Sequence, residues 1–124
     1  MITFRSGNHE KNYHALIATM SSISNKHKAL AYLFSLDPMC LSHIHELYSF
    51  EERRPLTTGL QAEWHTANSH KTSLLAFNLY DGYTEGLDSS PYSLFSDCDY
   101  TPYYLEAIKL RFPESFWKYE LRKK

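Results

Sequence analysis

Seven histidines have the most direct chemical potential in this chain, because imidazole binds transition metals and exchanges protons near neutral pH. His9-Glu10 precedes His14, but a zinc-protease helix requires its second histidine four residues after the first, and here it is five. Five residues turn a helix by about 500°, so these two imidazoles would point about 140° apart. His65 and His70 straddle an expected helix start and would meet only if the chain between them brought them together. We therefore predict no metal site and keep a small metal-dependent hydrolase that uses the histidines as an alternative.

Nucleophilic and phosphate-binding motifs are also missing from the sequence. No serine sits in a Gly-x-Ser-x-Gly turn, and the four glycines cannot assemble a phosphate-binding loop. Cys40 and Cys98 lie far apart without a Cys-x-x-Cys partner, which is typical of buried, reduced thiols. We predict no catalytic residue and no cofactor, and the sequence leans away from an enzyme.

Charge is distributed unevenly along the chain. Residues 72–108, which we call the acidic segment, contain no Lys, Arg or His, and they hold six of the 14 acidic residues. The rest of the chain therefore combines all 13 Lys and Arg with eight acids. The acidic segment also holds six of the 10 tyrosines, and tyrosine is enriched at protein interfaces because it combines a large contact area with a polar tip.

This pattern predicts a protein-binding surface that would suit a basic groove on a partner. The predicted surface residues are Tyr80, Asp81, Tyr83, Glu85, Asp88, Asp97, Asp99 and Tyr100. The alternative is that Arg111 and the basic residues after it fold back and neutralise the segment, and that several of the tyrosines pack internally. Direct nucleic-acid binding is disfavoured, because phosphate contact requires a basic stripe that only the last few residues offer.

Leucine dominates the apolar residues, with sixteen leucines, five isoleucines and no valine, which favours helices over strands. Cap signals and helical spacing predict a mainly α fold, a compact bundle of about five helices that leaves room for a minor pair of short strands. The predicted helices run from Asn8 to about Ile23, His27 to Leu36, Pro38 to Tyr48, Ser69 to Asp81 and Thr101 to Phe112, with a short helical turn at Ser90-Pro91 and an aromatic tail that docks.

Three predictions concern the interior. The helix over 69–81 is apolar on nearly every side and should be central, while Leu105, Ile108 and Phe112 should form the buried stripe of the later helix. Asn78 interrupts that central apolar run, and an unpaired buried amide would cost about 1–3 kcal/mol. We therefore predict that Asn78 belongs to a polar cluster that fixes how the helices dock, or that forms a ligand pocket, with partners drawn from His9, Asn12, Trp64 and Arg111.

The 124 residues suit one globular domain over 1–124. No apolar run approaches the roughly 18–20 residues that span a bilayer, and the first residues do not form a signal peptide, so we expect a cytoplasmic protein without membrane contact.

Several local motifs extend over nearly the whole chain: Phe4-x-Ser6-x-x-His9-x-x-Asn12-Tyr13, Trp64-x-Thr66, Leu75-Ala76-Phe77-Asn78-Leu79-Tyr80-x-Gly82, Leu94-Phe95 and Ala107-Ile108-x-x-Arg111-Phe112. With these motifs the sequence resembles a small uncharacterised family, domain of unknown function 6075, of low-GC Gram-positive bacteria and their phages. The resemblance implies a phage or mobile-element setting and no particular activity.

The leading hypothesis is a small accessory protein that acts by protein–protein interaction, for instance as an inhibitor of a host or defence enzyme that handles nucleic acid. The metal-dependent hydrolase and a structural or assembly protein remain as alternatives.

Overall fold

The computed structural model describes residues 1–123, and their side chains as far as residue 118. Within that range the chain is mainly helical, as predicted. The α-helices are α1 (Gly7–Met20), α2 (Asn25–Leu36), α3 (Pro38–Ser42), α4 (Ile44–Leu47), α5 (Ala67–Asp81), α6 (Pro91–Phe95), α7 (Thr101–Arg111) and α8 (Pro113–Lys123). Two short strands, β1 (Tyr48–Ser49) and β2 (Arg54–Pro55), and 3-10 helices at Thr57–Gln61 and Gly86–Ser89 complete the described elements.

Side-chain caps begin most of the helices, because they satisfy first-turn amides that have no partner inside the helix. The Ser90 and Asp37 side chains cap α6 and α3, each followed by a proline at the first position, as predicted. The first helix begins differently from the prediction, since Ser6 rather than Asn8 is its cap. Its end at Met20 also differs, because Ser21 takes a left-handed conformation (φ 53°) and terminates it.

The predicted third helix is divided. His43 has a φ of −114°, which interrupts the helix between α3 and α4. Tyr48 then turns into β1 and pairs with Pro55, while Ser49 pairs with Arg54, in an antiparallel register. The predicted minor strand pair is thereby confirmed, and it holds the charged turn over 50–53.

The centre of the fold is α2, and α5 packs on it. Every residue of α2 from Ala29 to Leu36 is buried, and α2 contacts α1, α5 and α7. The prediction that 69–81 is the central helix is correct for its burial, since residues 72–77 are all buried, but α2 is the more enclosed helix.

The buried face of α7 differs from the prediction. Tyr104 and Ala107 are fully buried, whereas Leu105 is 48% and Phe112 44% exposed. Ala107 has the smallest side chain on this part of α7, and a small side chain allows α7 to approach α2 closely. The helix does end before Pro113, as predicted. Within residues 1–123, no helix is both long enough and apolar enough to cross a membrane.

Candidate interaction surface

The part of the acidic segment that follows α5 folds back along that helix. Gly82 ends α5 with a φ of 87°, a left-handed conformation that glycine adopts without steric penalty. Nearer the start of α5, the Lys71 ammonium donates to the carbonyl of Ser96 in this part of the segment, at 2.8 Å. Ten residues of helix separate Lys71 from Asp81, about 15 Å at about 1.5 Å per residue. The segment therefore covers one side of α5 over much of its length.

The inner side of this segment is aromatic and buried. Tyr104 is fully buried, and its hydroxyl lies 2.7 Å from that of Thr72 on α5. Tyr100 is only 6% exposed and donates to Asp37 Oδ1 at 3.1 Å. Burial, followed by the nearby Asp37 carboxylate, raises the pKa of Tyr100 to about 12. The prediction that Tyr100 belongs to the exposed surface is therefore wrong, because its ring and hydroxyl both have partners in the interior.

Three other residues of the predicted surface are half-buried: Tyr80, Tyr83 and Glu85. The Tyr83 hydroxyl donates to Glu85 Oε1 at 2.7 Å, and this hydrogen bond is the main reason that the pKa of Tyr83 is raised. Lys26 Nζ lies 5.5 Å from the centre of the Tyr80 ring. These three residues are therefore less exposed than the aspartates of the predicted surface.

The outer side carries the carboxylates. Asp81, Asp88, Asp97 and Asp99 are all exposed. Leu87 and Tyr92 are 86% and 82% exposed and lie between them in the chain. Among the described side chains, ion pairs within 4.0 Å join other residues and none involves these four carboxylates. We call this set the acidic surface: Asp81, Leu87, Asp88, Tyr92, Asp97 and Asp99.

Two of the basic residues that follow the segment have other partners, and among the described side chains no hydrogen bond or ion pair involves the exposed Lys118. Arg111 Nε donates to the carbonyl of Leu79 at 2.6 Å, and Lys109 Nζ lies 3.9 Å from Glu106 Oε1. The side chains of Arg122, Lys123 and Lys124 lie outside the described part of the chain. Within the described residues, neutralisation of the acidic surface by the basic tail is thus not observed.

The predicted polar cluster does not form as one unit. His9 is 3% exposed; its Nε2 donates to the Tyr32 carbonyl at 2.9 Å, and its Nδ1 accepts from the Arg5 amide at 3.0 Å. Asn78 is half-buried and donates to the Tyr83 carbonyl at 3.1 Å, so its partner lies five residues away. The prediction that His9, Asn12, Trp64 or Arg111 pairs with Asn78 is wrong, because Asn78, His9 and Arg111 each bond a backbone carbonyl instead, and Asn12 and Trp64 lie elsewhere.

Asn12 and Trp64 lie elsewhere. Asn12 lines a shallow groove with residues of α1, α3 and α4 and with Phe50. Trp64 stacks on His43, with ring centroids 4.2 Å apart and planes 6° apart, and the centroid of its ring also lies 3.9 Å from that of His65.

The structure thus shows a histidine cluster around Trp64 that sequence analysis did not predict. His65 and His70 meet edge to face, with ring centroids 5.5 Å apart. His65 Nε2 donates to the Gly59 carbonyl and Nδ1 accepts from the Ser69 hydroxyl, each at 2.9 Å. Ser69 follows His65 by four residues at the start of a helix, and this spacing is the sequence signal that could have indicated the hydrogen bond between His65 and Ser69.

The chemistry available to this cluster is limited by its hydrogen bonds. Both ring nitrogens of His65 are occupied, and Ser69 is fully buried, so its hydroxyl is not accessible to a substrate. Within the described residues, no group of three His, Cys, Asp or Glu side chains is placed to hold a metal ion. Burial lowers the pKa of His65, and it does the same for His9 and His27. A lowered pKa favours the neutral form of each of these imidazoles in the folded chain.

Cys40 is also a structural residue. It is fully buried, and burial strongly raises the pKa of its thiol, so the reactive thiolate is suppressed. Cys98 is half-buried, and its sulfur accepts from the Tyr100 amide at 3.4 Å.

Fold and surface together define a small helical protein whose most distinctive exposed feature is a carboxylate-bearing surface with two protruding apolar side chains. The chain belongs to the family of unknown function DUF6075, whose family model matches residues 1–124. This confirms the family that the sequence motifs indicated. No curated protein and no solved structure matches the chain.

Proposed function

We propose that this protein acts by binding a basic surface of a partner protein through its acidic surface. The carrying observation is that four exposed carboxylates and two exposed apolar side chains alternate along one stretch of the chain, residues 81–99, while no described cation lies within ion-pair distance of the carboxylates. Interfaces of this kind combine apolar anchors with charges that steer the partner and set its orientation.

The biological setting that we propose is the cytoplasm of a low-GC Gram-positive bacterium that carries a phage or other mobile element. A nucleic-acid-handling enzyme of the host or of its defence is the proposed partner, because such enzymes present basic grooves that an acidic protein can occupy. In this role the protein would be an inhibitor that competes with phosphate backbones for the groove.

The test compares two variants with the same change in net charge. The first replaces Asp81, Asp88, Asp97 and Asp99 by Asn. Asparagine keeps the size of each side chain, and at Asp97, where φ is 48°, it also suits the left-handed backbone. The control replaces four exposed glutamates outside the surface by Gln: Glu10, Glu51, Glu63 and Glu114.

Each variant is immobilised and exposed to lysate of the native host at several salt concentrations, and captured proteins are identified by mass spectrometry. We expect a specific basic partner whose binding to the unaltered chain weakens as the salt concentration rises. Its binding should be about tenfold or more weaker to the Asn variant and only slightly weaker to the Gln control. Equal loss in both variants would show that net charge alone matters and would refute the proposed surface. Capture of nucleic acid in place of a protein would also refute it.

A further inference from the structure

A second surface of the chain is an apolar groove on the side of the fold formed by the ends of α2, α7 and α8. It has a volume of about 370 Å³. Its apolar lining is Met1, Ile2, Leu110, Pro113, Phe116 and Trp117. Trp117 is 66% exposed, so a large part of this lining faces solvent.

Positive charge flanks the groove. Lys28 and Lys109 line it together with one carboxylate, Glu106. That carboxylate already accepts from the Thr3 amide at 3.2 Å and lies 3.9 Å from Lys109 Nζ. Among the described side chains, no carboxylate lies within ion-pair distance of Lys28. An occupant of this groove should therefore present apolar side chains beside a negative charge.

The acidic surface has this combination. Leu87 is 86% exposed, the carboxylate of Asp88 follows it directly, and Tyr92 is 82% exposed a few residues further on. These protruding side chains share no lining residue with the groove, so the two surfaces are separate on one molecule.

We propose that the groove of one copy receives Leu87 and Tyr92 of a second copy, with Asp88 facing the lysines that flank it. Because a protrusion meets a groove, the contact is head-to-tail, and each complex leaves one groove and one protrusion unfilled. The proposal rests on the proposed function insofar as it uses the same acidic surface. Self-association would occupy that surface, so a basic partner would have to displace the second copy.

Two variants separate the two halves of the contact. The protrusion variant is Leu87→Lys/Tyr92→Lys, and the groove variant is Trp117→Glu/Lys28→Glu. A matched control, Ala15→Lys, places a charge at an exposed position of α1 that belongs to neither surface. All of the substituted side chains except Lys28 are exposed, and circular dichroism melts check that each variant remains folded.

Sedimentation velocity over low to high micromolar concentrations provides the readout. We expect the unaltered chain and the Ala15→Lys control to form larger species as concentration rises, and each test variant alone to associate about tenfold more weakly or not at all. An equimolar mixture of the two test variants should form a 1:1 dimer that does not grow, because only one intact protrusion and one intact groove remain.

Three results would overturn the proposal: a monomeric unaltered chain at every concentration, association that survives in the groove variant, or a mixture that fails to form the dimer. The groove variant should still capture the basic partner, because its acidic surface is intact. Capture by this variant together with a monomeric unaltered chain would refute self-association and leave the proposed function standing. If the Gln control lost capture as fully as the Asn variant, that result would refute only the proposed function.

Discussion

Removal of the Asp37 carboxylate should destabilise the protein more than the loss of an ordinary helix cap. Asp37 is 3% exposed and uses both carboxylate oxygens: Oδ2 accepts from the Cys40 amide and Oδ1 from the Tyr100 hydroxyl, each at 3.1 Å. One side chain thus caps α3 and ties the acidic segment to the core across 63 residues of sequence.

The magnitude follows from these two contacts. An Asp→Ala change at a helix cap costs about 0.5–2 kcal/mol, and a buried hydroxyl left without an acceptor costs about 1–3 kcal/mol. Relief of the desolvation of a buried carboxylate offsets part of this cost. We therefore expect Asp37→Ala to lower the free energy of unfolding by about 2–4 kcal/mol.

A double-mutant cycle isolates the bond to Tyr100. Asp37→Ala, Tyr100→Phe and the double variant are unfolded in urea, and their free energies of unfolding are compared. We expect the double variant to be more stable than the sum of the single effects allows, by about 1–2 kcal/mol, because the second substitution removes a group that the first has already left unpaired. Additivity within about 0.5 kcal/mol would show that the two side chains do not interact and would refute the assignment of Tyr100 to the interior.

Two further predictions concern the backbone approach at Gly59 and the buried histidines. A Cβ on Gly59 would lie 2.2 Å from the Glu46 carbonyl oxygen, so Gly59→Ala should lower the free energy of unfolding in urea by about 2–4 kcal/mol. The control, Gly7→Ala, should be neutral or slightly stabilising, because a Cβ there would have nothing within 4 Å. Equal urea midpoints for the two variants would contradict the close approach at Gly59. The fold lowers the pKa of His9, His27 and His65, so it favours their neutral form. The stability that these neutral imidazoles contribute is therefore complete above about pH 6.5 and decreases as the pH falls below that value. For His9, the most buried of them, the free energy of unfolding should fall by at most about 1.4 kcal/mol per pH unit. Urea midpoints measured at about pH 7.5, 6.5 and 5.5 should therefore decline less steeply in His9→Gln than in the unaltered chain. A flat profile in the unaltered chain would refute the prediction.

Local interactions were predictable from the sequence. Asp37-Pro38 and Ser90-Pro91 indicate helix starts because a cap bonds an amide only three residues away, and this geometry does not depend on the rest of the fold. Gly82 indicated the end of α5 for the same reason. The mainly helical class followed from these signals together with leucine-rich spacing.

Long-range partners were not predictable. His9 bonds the carbonyl of Tyr32, 23 residues away, and every peptide in the chain offers an equivalent carbonyl. The orientation of α7 also depends on its neighbours, because both of its faces carry apolar side chains. Packing against α2 and the hydroxyl of Thr72 selects Tyr104 and Ala107, which periodicity alone cannot do.

The same distinction applies to the candidate site. The sequence placed the acidic residues and the tyrosines in one segment, but it could not divide them between core and solvent. The structure places Tyr100 and Tyr104 inside, where their rings and hydroxyls stabilise the fold, and leaves the neighbouring carboxylates of Asp97 and Asp99 outside.

This division bears on why the carboxylates are present. Tyr100 and Tyr104 gain burial and hydrogen bonds from the fold, whereas the four carboxylates of the acidic surface have no ion pair within 4.0 Å among the described residues. Folding stability therefore accounts for the buried tyrosines of the segment and for Asp81, whose Oδ1 accepts from the Tyr83 amide at 3.2 Å. For Asp88, Asp97 and Asp99, the proposed contact with a cationic surface would supply the reason, because complementary charges steer and orient a partner.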